Sequence, residues 1–229
     1  MKKQNYYVLW SGGLDSTYLI HKLLNDGHSV SAGYCEITNN STKVVREKSA
    51  IGRLLPFFKS FKNFKFDVGG DTKISVNGNS IMTSLKQFPA WMTSILYQAG
   101  QENIDKIAIG YVMNDDAISY IPDMEKIYMA YKPLSGIKRW PKLVFPLKST
   151  HKGNMIKELP DEMVNIVTFC EGNHLTDNCG ECIPCKRWKR LEEDGIVPIP
   201  LRRFSSNEID EEECEEKAEV KVKKRRKKK

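Results

Sequence analysis

The 229-residue chain is long enough for one α/β core, or for a core with a small appendage. Hydrophobic residues at 40% and charged residues at 28% exclude a collagen, a coiled coil and a wholly disordered chain, and no run of about 18 apolar residues offers a membrane span. Of the net charge of +7, the segment from residue 208 carries +1 (8 acidic, 9 basic), which leaves the body at +6 and suits an anionic ligand such as a nucleotide.

Met1-Lys2-Lys3-Gln4 leads into only five apolar residues, too few for a secretory leader, so a cytoplasmic location is expected (a host's cytoplasm if the source is viral). Tyr6-Tyr7-Val8-Leu9-Trp10 reads as a buried first strand, stopped by Ser11-Gly12-Gly13. The stripe Tyr18, Leu19, Ile20, Leu23, Leu24 then predicts a helix, ended by Asn25-Asp26-Gly27. A second strand is expected over Val30 to Cys35, and a helix from Thr42 to Leu55 that stops near Pro56. Phe64 to Val68 alternates like a third strand, and the polar Gly69 to Asn79 reads as a loop or hairpin. A helix over Trp91 to Gln101, a strand over Lys106 to Val112 and a short strand at Leu143-Val144-Phe145 follow. This alternation predicts a doubly wound, mainly parallel α/β sheet.

Between the first strand and first helix stands Ser11-Gly12-Gly13-Leu14-Asp15-Ser16-Thr17. Two glycines let the backbone turn tightly against an anion, and the amides opening a helix form a positive nest for phosphate. Ser11, Ser16 and Thr17 add hydroxyls, while Asp15 suits Mg²⁺ held directly or through water. The expected ATP-binding run is Trp10, Ser11, Gly12, Gly13, Leu14, Asp15, Ser16 and Thr17, continuing to Tyr18, Leu19 and Ile20, with Asp15 and Ser16 closest to the chemistry. The string matches the S-G-G-x-D-S-T signature of the PP-loop ATP pyrophosphatases. It is not a Walker A loop, because no lysine follows the glycines.

Cys170, Cys179, Cys182 and Cys185 place four thiols within sixteen residues, the pattern of one structural Zn²⁺ per chain. An iron–sulfur cluster takes the same ligand number, and His174 inside the loop offers an alternative donor. The expected organisation is an ATP-binding domain over 1–167, a zinc-binding segment over 168–204 packed on it, and a disordered tail over 205–229. In that tail an acidic block, Asp210 to Glu216, precedes eight basic residues in the last nine, suited to weak polyanion binding. Cys214 lies within it, and Cys35 ends a core strand.

An N-terminal S-G-G-L-D-S-T with a C-terminal C-x8-C-x2-C-x2-C resembles the 7-cyano-7-deazaguanine synthase family of PP-loop enzymes, from about Tyr6 to Arg190. Ile109-Gly110, Asp115-Asp116 and Tyr120-Ile121-Pro122-Asp123 are similar to that family's G-V…D…Y-P-D segment, and Phe145-Pro146-Leu147 with Lys152 to its T-P-L…K segment. The family's Arg-His pair after the second strand is replaced by Glu36-Ile37-Thr38-Asn39-Asn40, and its G-R-N is missing before Phe88-Pro89-Ala90-Trp91. The resemblance implies a cytoplasmic, homodimeric ligase that uses ATP, Mg²⁺ and ammonia to convert 7-carboxy-7-deazaguanine to the nitrile. It implies substrate contacts at Asp115, Asp116, Tyr120 and Asp123. Adenylation of another acceptor (in tRNA-base thiolation, DNA deazaguanine modification or defence-linked protein modification) and a non-catalytic nucleic-acid-binding role are the alternatives. His151 reads as a capping or surface residue, and Trp91 and Trp140 as packing residues.

Overall fold

In β1 (Asn5–Leu9) successive side chains point to opposite faces, and both faces are covered. Tyr6, Val8 and, just beyond the strand, Trp10 enter one apolar cluster, whereas Tyr7 enters a second. A strand buried on both sides must be apolar throughout rather than alternating, which is why this run stands out in the sequence. The computed structural model describes residues 2–37, 40–66, 72–74, 88–100, 103–115, 117–172, 178–198 and 201–204.

Around β1, the strands β2 (Ser29–Gly33), β4 (Phe64–Phe66), β6 (Lys106–Ala108) and β7 (Lys142–Val144) complete a five-stranded sheet in the order β4-β2-β1-β6-β7. Every pairing in it is parallel, and Val8 lies opposite Ala32 on one side and Ala108 on the other. Helices α1 (Leu14–Asn25), α2 (Ser41–Lys59), α5 (Lys152–Glu158), α6 (Asp161–Val164) and α7 (Ile183–Glu193) feed the cluster of Val8 and Trp10. Helices α3 (Phe88–Ala99) and α4 (Ile121–Ser135) feed the cluster of Tyr7 and Ile107 on the other face. The architecture is therefore a doubly wound parallel α/β sheet with a four-cysteine segment near its C-terminal end. No described helix is long and apolar enough to cross a membrane.

Several element boundaries differ from the sequence expectation. The second strand breaks at Tyr34. Its continuation β3 (Cys35–Ile37) leaves the main sheet and pairs in parallel with β5 (Thr72–Ile74). Part of the expected loop or hairpin over Gly69 to Asn79 is thus a strand, and the rest of it lies outside the described residues. Helix α2 runs through Pro56 to Lys59 because Leu54 and Phe58, both fully buried, hold its last turns on the core. That packing outweighs a cost of about 3 kcal/mol for an internal proline. The strand expected over Lys106 to Val112 ends at Ala108: Ile109 still donates its N–H to Val144 O, but from Gly110 the chain packs against the first turn of α1 and enters the cleft.

Trp10 joins strand, loop and helix. It is 1% exposed, its Nε1 donates to Thr17 Oγ1 at 3.1 Å, and Phe58 and Phe66 pack edge-on against its ring at 5.4 and 5.3 Å. Trp10→Ala is expected to lower unfolding free energy by about 3–5 kcal/mol in a denaturant titration. A loss under about 1 kcal/mol would show that the indole is not the keystone of this face.

Candidate functional site

The sheet order reverses between β1 and β6, and at such a reversal the chain leaves the two strands in opposite directions and opens a crevice. Two glycines bring its walls together. Gly12 has φ +70°, and a Cβ there would lie 3.0 Å from both Ala50 Cβ and the Glu47 carbonyl oxygen. Glycine thus supplies both the left-handed turn and the room for the loop to lie on α2. A Cβ on Gly110 would lie 3.1 Å from the Asp15 carbonyl carbon and 3.2 Å from Ser16 N, so the exit of β6 touches the first turn of α1.

Gly13 caps α1 without a side-chain hydrogen bond, which leaves the opening amides of the helix and its positive end facing the crevice. The Ser11 N–H donates to Ser16 Oγ at 3.3 Å, and the two seryl oxygens lie 3.3 Å apart. Lys152, the first residue of α5, donates to Asp15 Oδ2 at 3.0 Å. The other oxygen, Asp15 Oδ1, is buried and has no hydrogen-bond partner. An uncompensated carboxylate oxygen beside an anion nest fits a hard cation such as Mg²⁺.

Of the expected ATP-binding run, Trp10, Ser11, Gly13, Leu14, Asp15 and Ser16 line the cleft. The side chains of Thr17, Tyr18, Leu19 and Ile20 do not. All four are buried, with Thr17 Oγ1 taken by Trp10 and the Tyr18 hydroxyl bonded to Glu158. Four consecutive helical residues at about 100° each sweep most of a turn and cannot all face one crevice.

The cleft has two confluent parts of about 160 and 280 Å³ that share Ser11, Asp15, Ser16, Lys43, Glu47, Trp91 and Asp115. Tyr34, Cys35, Ile37, Val44 and Tyr111 wall the smaller part. Tyr111 stacks on Phe145 at 5.9 Å with the rings 6° from parallel, and Trp91 lies 6.1 Å from Tyr111. The Tyr34 hydroxyl donates to Glu47 Oε2 at 2.6 Å. Burial pushes the Glu47 carboxyl above its usual range, against the pull of Lys43, the Tyr34 hydrogen bond and Arg46. Burial and the Glu47 charge also push the Tyr34 phenol well up, so it stays protonated and donating at neutral pH.

Asp115 reaches this cleft, and Asp116 lies outside the described residues. Tyr120 and Asp123 do not line it. A 3₁₀ turn at Ile118–Tyr120 leads into α4, which buries Ile121, Met124 and Tyr128 and so turns Asp123 outward to Lys126 at 3.2 Å and leaves Tyr120 exposed. Lys43, Glu47, Tyr34, Cys35 and Tyr111 were not singled out as site residues from the sequence. The four-residue step from Lys43 to Glu47, early in the helix after the second strand, is the only local signal for any of them. Trp91, expected to pack, both packs and faces the cleft. His151 caps α5 through its backbone only, and Trp140 packs on Tyr128 at 5.0 Å.

The larger part of the cleft ends at the cysteines. The sulfurs of Cys170, Cys179, Cys182 and Cys185 all lie within 4.8 Å of one another, with Cys179 and Cys185 3.8 Å apart. Four thiolates about 2.3 Å from one tetrahedral zinc stand about 3.8 Å apart, so the set can hold a single metal ion such as zinc. An iron–sulfur cluster would interpose its own irons and sulfides, for which this spacing leaves no room. Backbone N–H groups of Glu171, Gly172, Cys179 and Cys182 point at the sulfurs at 3.3–3.4 Å. Hydrogen bonds from the Cys182 and Glu181 backbone N–H groups draw the Cys179 thiol down to about 6, while burial pushes the Cys185 thiol up. His174 lies outside the described residues.

The cysteine segment is fastened to the cleft. Thr168 N–H donates to Gly12 O at 3.0 Å, and Arg46 of α2 donates to the carbonyls of Cys170 and Gly172, both at 2.7 Å. Phe169 stacks on Trp188 of α7 at 4.4 Å, and Arg203 covers both rings. The buried Glu192 carboxylate takes the Trp188 Nε1 at 2.9 Å, the Phe204 N–H at 3.0 Å and the Arg203 N–H. Trp188, Val197 and Leu201 belong to the same apolar cluster as β1 and α1.

No family model matches the chain, and no curated protein matches its sequence. Among solved structures, the fold is similar to a predicted subunit of tRNA methyltransferase from Methanocaldococcus jannaschii, at 15% identity and TM-score 0.42 over 85% of this chain and 90% of that one. It is also similar to NMN synthetase from Francisella tularensis, at 16% identity and TM-score 0.40 over 84% and 78%.

Elemental analysis of protein purified without added metal is expected to find a single zinc per chain, and Cys182→Ser to lose it together with thermal stability. Full stability with no metal would contradict a closed structural site.

Proposed function

We propose that the chain is an ATP-dependent, ligase-type enzyme that adenylates an acceptor oxygen and releases pyrophosphate. One observation carries this reading. The Ser11-Gly12-Gly13-Leu14-Asp15-Ser16-Thr17 string opens α1 at the reversal of sheet order, with Asp15 Oδ1 buried and unpartnered beside Lys152. The β- and γ-phosphates lie against the opening amides of α1 and the hydroxyls of Ser11 and Ser16, and Lys152 offsets their charge. Asp15 would hold Mg²⁺, which supplies further neutralisation of the leaving pyrophosphate. The adenine takes the smaller, aromatic-walled part of the cleft near Tyr34 and Tyr111.

The acceptor oxygen attacks the α-phosphorus, the bond to the β-phosphate oxygen breaks, and pyrophosphate leaves. A nucleophile then displaces AMP, a far better leaving group than oxide or hydroxide. Resemblance supplies a specific acceptor, 7-carboxy-7-deazaguanine. Adenylation of its carboxylate followed by ammonia gives the amide, and adenylation of the amide oxygen followed by loss of AMP and a proton gives the nitrile. The absence of the family's Arg-His pair and G-R-N segment points to acceptor contacts drawn from other residues of this cleft.

Mass spectrometry of products from ATP, ammonium and 7-carboxy-7-deazaguanine tests the acceptor, with the nitrile and AMP expected. Pyrophosphate release tests the ATP site separately. Asp15→Asn and Ser16→Ala are each expected to lower it by about 100-fold or more while leaving the unfolding midpoint near that of the parent chain. Undiminished release in both variants would overturn the site.

A further inference from the structure

We infer that α7 presents a nucleic-acid-binding surface along the rim of the cleft. The helix is a rigid platform. Its N-cap is Cys182 and its first turns carry Cys185, so a metal at the thiolates fixes its start. Cys185, Trp188 and Glu192 are buried and fix its inner face. At about 100° per residue, Arg190 and Lys186 fall on the opposite, solvent side, flanking Ile183, which is 63% exposed. Arg187 lies on the far flank of Ile183 and lines the cleft together with Lys43 and Lys152. The cations therefore form one strip from solvent to the phosphate loop.

Two observations argue that this strip serves a ligand rather than the metal site. The sulfurs receive backbone N–H groups from four residues, and none of their hydrogen bonds comes from Lys186, Arg187, Lys189 or Arg190. Among the described residues, none of these four cations forms an ion pair, whereas Lys43 and Lys152 are matched to Glu171 at 3.7 Å and Asp15 at 3.0 Å. Three unmatched cations, Lys186, Arg187 and Arg190, border the exposed Ile183, with Lys189 about 120° round the helix from it, and such a face suits a phosphodiester backbone whose bases contact Ile183. A single small anion would leave most of the strip unused. The inference stands apart from the ATP reading, since it needs neither Asp15 nor nucleotide.

Fluorescence anisotropy with labelled 20-nucleotide single strands of RNA and of DNA, at 50 and 200 mM salt, tests it on the full, metal-loaded chain. Both Lys186→Glu/Arg190→Glu and Lys186→Ala/Arg190→Ala are expected to weaken binding about tenfold at 50 mM. The alanine pair should make the log–log salt slope shallower by about 1.4, the value for two lost contacts on a single strand. Metal content measured on each variant shows that the platform is intact. A full-length chain with the basic residues of 221–229 replaced by glutamine should keep the α7-dependent part of the slope. Parental affinity in both α7 pairs overturns the inference, as does binding that vanishes only in the tail variant. Binding of heparin without binding of either strand also overturns it, and the stronger of the RNA and DNA arms identifies the strand.

Discussion

The backbone contact between the Gly12-Gly13 loop and its neighbours is the constraint on which the cleft depends. Gly12 lies against α2 at a separation that admits no Cβ, while its carbonyl receives Thr168 N–H and Gly13 forms a parallel bridge with Thr168. The loop is thus held from two sides by chain that arrives from about 40 and about 155 residues away. Backbone dipoles stabilise a bound anion only when they are oriented before it arrives, and this double contact holds the Gly12-Gly13 loop in one orientation. The same contact brings Lys43 and Glu47 of α2 together with Phe169 and Cys170 into the lining of the crevice.

The four-cysteine segment acquires its place in the molecule through this arrangement. A single residue, Phe169, separates Thr168 from Cys170, and Arg46 grips the carbonyls on either side of Glu171. A metal here does not stabilise a remote appendage. It fixes one wall of the cleft, and the packing of Trp188, Val197 and Leu201 into the central core makes that wall continuous with the sheet. The polar network of Glu47, Tyr34, Lys43 and Glu171 spans the same seam, so disturbing either side is felt by groups facing the cleft.

The parts of this design that were legible in the sequence are those whose chemistry is local. Tyr6 to Trp10 had to be apolar because both faces of β1 are covered, and the glycines and cysteines sit at spacings that few other structures require. The remainder depends on distant packing. Pro56 looked like a helix end, but the core position of Phe58 carries α2 past it. Glu47 looks like any surface glutamate until Gly12 brings α2 over the crevice. Tyr120 and Asp123 followed the cleft residues closely in sequence, yet the apolar stripe of α4 rotates them away from it. The break at Tyr34, which delivers Cys35 and Ile37 to the cleft wall, reflects a pairing with Thr72–Ile74 that no nearby residue announces.

Glu192 ties Arg203 and Phe204 to the folded body. Its carboxylate is 2% exposed and is satisfied by the indole of Trp188 and by the backbone N–H groups of Arg203 and Phe204. A chain shortened for crystallisation at Pro200 would strip that carboxylate of two donors and remove the guanidinium that bonds the carbonyls of Val164 and Val167. A cut that spares this network lies beyond Phe204.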